Sequence, residues 1–157
     1  MDELELRAHF RQAMRRWAAT VCVITTAPRV GMAATSVTSL TLDPPALLVC
    51  VNQSASIHPR LTMGARICVN VLGGDHGDLS MAFGGGRAPE ERFMVGDWAE
   101  TEDGIPWLRD AQSNLFARVD GLTDYGTHTI VVGRVDAVRF HGETDPLIYG
   151  DGRYARL

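Results

Sequence analysis

Apolar side chains first recur at helical spacing. Leu6, Phe10, Ala13, Met14 and Trp17 fall on one face, while Arg7, Arg11, Arg15 and Arg16 fall mostly on the others. Asp2 with Glu5 three residues on has the spacing of a capping box, and acids at the start with arginines at the end suit the helix dipole. The spacing predicts an N-terminal amphipathic helix whose arginines form a solvated face, with phosphate binding the lesser reading. After Trp17 the period drops to two. Thr20 to Thr26 reads as a strand, Ala27-Pro28 interrupts it, and Gly31 to Leu42 is small, polar and β-branched. Asp43-Pro44-Pro45 is a stop, because proline gives a ladder no donor.

Ala46 to Val51 is continuously apolar, which predicts a strand covered on both faces. Further strands are predicted at 66–72, 115–120, 129–138, 147–149 and 153–155, and helices at 56–63 and 75–83. The stretch from Gly84 to Asp110 carries no regular period. Six to eight strands with little βαβ alternation predict a mainly β fold. The expected form is a closed, largely antiparallel barrel with peripheral helices, and residues 1–157 read as a single domain.

Composition narrows the chemistry. All 15 basic residues are arginine, so a lysine Schiff base, lysine-held pyridoxal phosphate and a Walker-type loop are excluded. A net charge of −4 without a basic cluster offers nucleic acid little to hold, and no apolar run is long enough to span a membrane. Cys22, Cys50 and Cys68 each sit inside an apolar run and read as small buried hydrophobes. With an acidic N-terminus unlike a secretory signal, the expectation is a reduced, cytoplasmic protein.

Several familiar signatures fail. Gly150-Asp151-Gly152-Arg153-Tyr154-Ala155 has the letters of a dinucleotide fingerprint, but no helix or distant acid follows it. His9, His58, His76, His128 and His141 show no metal-ligand spacing, and Asp75-His76-Gly77-Asp78 reads as a solvated loop and helix cap. The positive signals are three stretches poor in charge. Gly31 to Leu40 combines small residues with hydroxyls, which lets a flat ligand approach the backbone and bond its polar edge. Val51 to Ile57 places hydroxyls and amides ahead of the helix expected at 56–63, whose N-terminus would suit phosphate. Both stretches can equally be a polar strand edge and an ordinary cap. Tyr125-Gly126-Thr127-His128-Thr129 sets a histidine beside a glycine turn, a structural or a functional position.

Together VCVITT at 21–26, GMAATSVTSLTLDPPALLVCV at 31–51 and ICVNVL at 67–72 set the first half of a pattern. LSMAF at 79–83, RF at 92–93, Trp98, GTHTIVVGRV at 126–135 and PLIY at 146–149 complete it. In order and spacing the chain resembles the short flavin reductases that serve two-component flavin-dependent monooxygenases. The resemblance implies a split β-barrel of Greek-key, FMN-binding type, assembled as a homodimer. It implies hydride transfer from NADH, less readily NADPH, to FMN or FAD, with reduced flavin passed to a partner monooxygenase. Met32, Ala33, Ala34, Thr35 and Ser36 would line the flavin ring, and Cys50, Val51 and Asn52 would extend that wall. Ser56 and Ile57 would face the phosphate end, and Ala82 and Phe83 would complete the cradle. His128, the expected catalytic position, would meet the nicotinamide nucleotide together with Tyr149, Gly150, Asp151 and Gly152. Thr127 stands where family members often carry an acid. The competing reading is a flavin-binding carrier or sensor without turnover. An oxidase of the pyridoxamine-phosphate type is disfavoured by the missing lysine.

Overall fold

The computed structural model describes residues 1–157. Helix α1 (Glu3–Met14) opens with Asp2 as N-cap, whose Oδ1 accepts the Glu5 backbone N–H at 2.8 Å. The capping reading holds. The apolar face does not bury as amphipathic spacing would suggest: α1 contributes no buried residue, and Phe10 is 65% exposed.

The strands follow as β1 (Ala19–Thr20), β2 (Cys22–Thr26), β3 (Val30–Ala34), β4 (Val37–Leu42), β5 (Pro45–Asn52) and β6 (Arg66–Val71). A short helix α2 (Gly77–Met81) runs into a wide turn at Ala82–Gly86. Next come β7 (Trp98–Glu100), β8 (Pro106–Leu108), β9 (Ser113–Tyr125), β10 (His128–Phe140), β11 (Ile148–Gly150) and β12 (Arg153–Ala155). The expected helix at 56–63 is absent. Only a 3-10 turn at His58–Arg60 forms, with Pro59 inside it and no side-chain cap. The single turn at 56–63 cannot supply the helix dipole expected for phosphate.

Seven strands make one antiparallel sheet in the order β3-β2-β6-β9-β10-β5-β4. Its two edge strands are neighbours in sequence, joined through Thr35 and Ser36, but no ladder pairs β3 with β4. The closed ladder expected from the strand count is therefore not formed. The sheet instead curls around a cluster that takes Ile24 from β2, Leu47, Val49 and Val51 from β5, Ile67 and Val69 from β6, and Ala117, Val119 and Val131 from the hairpin. Strand β5 is covered on one face only; Leu48 and Cys50 on the other are half-buried, a correction to the doubly buried strand read from its apolar run.

The β9–β10 hairpin turns at Gly126-Thr127, with Gly126 at φ +56°, a conformation glycine adopts without strain. Register shifts at Val132/Gly133 and Val135/Ala137 bend its long strands around the core. A second cluster under α2 gathers Val21, Val23, Leu72, Leu79, Phe83 and Leu147. Phe83 stacks with Phe93 and Trp98 at centroid distances of 5.0 and 5.3 Å, and a Cβ on Gly31 would lie 2.9 Å from its ring. Side by side with these, β1, β11 and β12 form a small sheet, and β7 with β8 a hairpin across the region without period. No helix is long and apolar enough to cross a membrane.

Candidate functional site

The chain between the two sheet edges lies beside a cleft of about 410 Å³. One wall is Ala33, Ala34 and Thr35, and the other is Ser80, Met81, Gly84 and Gly86. Tyr149 and Tyr154 stand at its end, rings 5.5 Å apart, with the Tyr154 hydroxyl donating to Ser80 Oγ at 2.9 Å. No carboxylate, arginine or histidine lines it. A Cβ on Gly84 would reach nothing closer than Ala33 Cβ at 3.9 Å, so the space between the walls is not required by the packing of the fold. An uncharged slot bounded by small side chains and rings suits a flat heteroaromatic ligand, with Thr35 and exposed strand-edge amides for its polar rim.

A second cleft of about 510 Å³ adjoins it and shares Thr35 and Tyr149. Here Ser36, Gly150, Asp151 and Gly152 meet Arg11, Met14, Arg15 and Trp17 of the N-terminal segment. The Arg15 guanidinium donates to Asp151 Oδ1 at 3.1 Å and the Asp151 N–H donates to Arg15 O at 2.8 Å.

The sequence-predicted residues divide into three groups. Ala33, Ala34, Thr35, Ser36, Tyr149, Gly150, Asp151 and Gly152 come together at the two clefts, although they lie more than a hundred residues apart in the chain. Asn52, Ser56 and His128 gather at the far end of β5, where Asn52 pairs with His128 in the ladder. Asn52 Oδ1 accepts from Ser54 N–H and Oγ, and Gln53 Nε2 donates to His128 O, which fixes this loop against the hairpin. His128 is exposed, with Nδ1 2.9 Å from Thr127 Oγ1. The two places are linked through Cys50: Ser36 Oγ donates to Cys50 O at 2.8 Å, and Cys50 is two residues, about 7 Å along a strand, from Asn52.

The third group is interior. Val51 and Ile57 are fully buried in the larger cluster, Met32 packs against it, and Ala82 and Phe83 belong to the second cluster. The side chains of Val51, Ile57, Ala82 and Phe83 therefore shape the site from behind, and any contact with a ligand falls to their backbone. Arg11, Arg15, Trp17, Ser80, Met81 and Tyr154 were not among the expected site residues. The first three lie in or just after the N-terminal helix, whose arginines read first as a solvated face and only secondarily as a phosphate site.

The thiols also differ. Burial pushes Cys22 up to about 12, from an ordinary 9.0, and pushes Cys68 up as well, whereas Cys50 is only half-buried. A native thiol titration is expected to modify Cys50 alone, with Cys22 and Cys68 reacting after unfolding; rapid native labelling of all three would contradict this. Above pH 9 the unfolded chain releases the Cys22 proton while the folded chain retains it, so folding stability falls as pH rises through that range.

Comparison with known proteins places these features in company. The chain matches the family described as flavin reductase like domain over residues 14–157. It is 42% identical to the FMN reductase (NADH) RutF of Variovorax paradoxus over 154 residues, covering 96% of this chain and 86% of that one. It is 39% identical to the reductase component of the FADH(2)-dependent resorcinol hydroxylase of Rhizobium sp., covering 93% and 84%. Its fold is similar to the Streptomyces globisporus C-1027 NADH:FAD oxidoreductase SgcE6, solved with NAD and FAD fragments. That similarity has a TM-score of 0.89 at 27% identity and covers 100% of this chain and 96% of that one.

Proposed function

The chain belongs to the flavin reductase like domain family, and from this we propose that it is an NADH-dependent flavin reductase that supplies reduced FMN or FAD to a partner monooxygenase. The observation that carries the reading is the uncharged cleft between Ala33–Thr35 and Gly84–Gly86, continuous with a cationic one. When flavin and nicotinamide are bound together, the cofactors themselves supply the chemistry, a hydride passing from the nicotinamide carbon to flavin N5. What remains for the chain is to hold two rings in register and to exclude water, which explains why no acid–base pair lines the slot.

Ala33 and Ala34 allow close approach to the β3 backbone, Thr35 and Ser36 offer hydroxyls, and Tyr149 and Tyr154 close the open end. Thr127 Oγ1 lies 2.9 Å from His128 Nδ1 and orients the ring, which leaves Nε2 to bond the nicotinamide nucleotide. His128 acts as a positioning hydrogen-bond partner of that nucleotide and not as an obligatory proton donor. We further propose that residues 1–157 act as one domain, that the curled sheet serves as a split Greek-key barrel, and that the protein is a cytoplasmic homodimer. Uncovered Leu6 and Phe10 on α1 and Leu42 on β4 support self-association.

The test is anaerobic. Excess free FMN or FAD mixed with the protein should lose its oxidised absorbance over many turnovers when NADH is added, and more slowly with NADPH. Flavin that binds but is never bleached by either nicotinamide would leave only a carrier or sensor. His128→Ala should reduce kcat/KM for NADH by about ten- to a hundredfold with flavin affinity retained. A carrier would show no activity to lose.

A further inference from the structure

We propose that Arg11, Arg15 and Trp17 form a subsite for the adenosine diphosphate end of a dinucleotide, continuing outward from the uncharged slot. The inference rests on reading that slot as the place of the flavin and nicotinamide rings. The second cleft shares Thr35 and Tyr149 with the first, which sets it next to the place of a flat neutral head. Its charge differs from that of the slot. Asp151 engages Arg15, while Arg11 makes no ion pair or side-chain hydrogen bond, which leaves one positive charge uncompensated where the chain of phosphates would lie.

Arg11 and Arg15 stand four residues apart at the end of α1, so their side chains rise from the same side of the helix. The carbonyl end of a helix repels an anion, and binding here must come from the two guanidinium groups. Helix-end arginines by themselves would be explained by the dipole. That account leaves out Trp17, which is 69% exposed beside them with no partner for its indole N–H and no stacked ring. A bare indole at the end of a cationic cleft is a stacking platform for a purine base.

The far wall is a tight turn. Asp151 and Gly152 both have positive φ, and a Cβ on Gly152 would come within 3.3 Å of Arg15 Nη2. The turn thus fits closely around the arginine that it orients. FMN ends at one phosphate, whereas FAD and NADH both carry adenosine diphosphate, so the subsite recognises the chemistry those two share.

The experiment is calorimetric titration of ADP alone into the full-length protein and its Arg11→Ala and Trp17→Ala variants, with oligomeric state followed by light scattering. ADP should bind the wild type, and each variant should weaken it by about tenfold. No ADP binding by the wild type, or equal binding by both variants, overturns the subsite, including the case in which a second copy covers this cleft. The source is separated by ratios. Loss of a preference for FAD over FMN in Arg11→Ala assigns the site to flavin. A rise in KM for NADH relative to reduced nicotinamide mononucleotide assigns it to the nicotinamide donor. Turnover without ADP binding would sink the subsite alone. ADP binding without flavin turnover would sink the reductase reading alone.

Discussion

Replacing Asn70 by leucine is expected to lower stability by about 3–4 kcal/mol and the melting temperature by about 10 °C. Asn70 is fully buried in β6 and joins four elements. Its Nδ2 donates to Val23 O at 2.9 Å and Thr25 Oγ1 at 3.1 Å, while its Oδ1 accepts from the Leu108 N–H and from Asn114 Nδ2, both at 2.9 Å. Leucine has similar bulk but no polar atoms, so it strands the Leu108 N–H and half the Asn114 amide in a dry interior. The β7–β8 hairpin hangs on this network, because Thr25 Oγ1 also donates to Pro106 O at 2.5 Å. Thermal melts followed by circular dichroism decide the matter. A fall of less than about 3 °C would mean that the network relaxes or admits water.

Filling the uncharged slot should produce the largest change in function. Ala33→Phe is expected to weaken flavin binding about a hundredfold, equivalent to about 2.7 kcal/mol, because the new ring takes the volume meant for the ligand. Gly84→Leu attacks the same space from the opposite wall. With only Ala33 Cβ within 4 Å of a Cβ there, its main collision is with the ligand. Ala33→Ser should bind normally. Flavin fluorescence titration gives the affinities, and near-ultraviolet circular dichroism checks that the fold persists. Unchanged affinity in both large-residue variants would put the flavin elsewhere, with the Asn52–His128 end as the alternative.

Much of this was legible in the sequence, for identifiable reasons. Strands β2, β5, β6, β9 and β10 alternate or run apolar because they wall one cluster, and periodicity reports that directly. The failures arise where tertiary context decides. Ser56 to Met63 carries cap-like hydroxyls, but Pro59 and the burial of Ile57 leave only one turn. Val51, Ile57, Ala82 and Phe83 belong to the resemblance's site by position, yet their side chains point into the core, which no linear pattern reveals. Helix α1 shows the opposite error. Its period is amphipathic, but period says nothing about which surface an apolar face meets. Here no residue of the helix is buried, and of the apolar face only Met14, with Trp17 just beyond the helix, lines the second cleft.

The order of strands carries one more consequence. An edge strand normally presents backbone groups that a protein must shield from unwanted pairing. Here both edges of the large sheet arrive at one seam, because β3 and β4 are consecutive in the chain and unpaired with each other. The unpaired edge of β3, with Ala33 and Ala34, and the connecting Thr35 thereby lie along the slot. A heterocycle with donors and acceptors around its rim can act there as a missing rung. If the slot takes the flavin as proposed, the exposed edge of an unfinished sheet would serve recognition, with the Ser80–Gly86 segment as the facing wall.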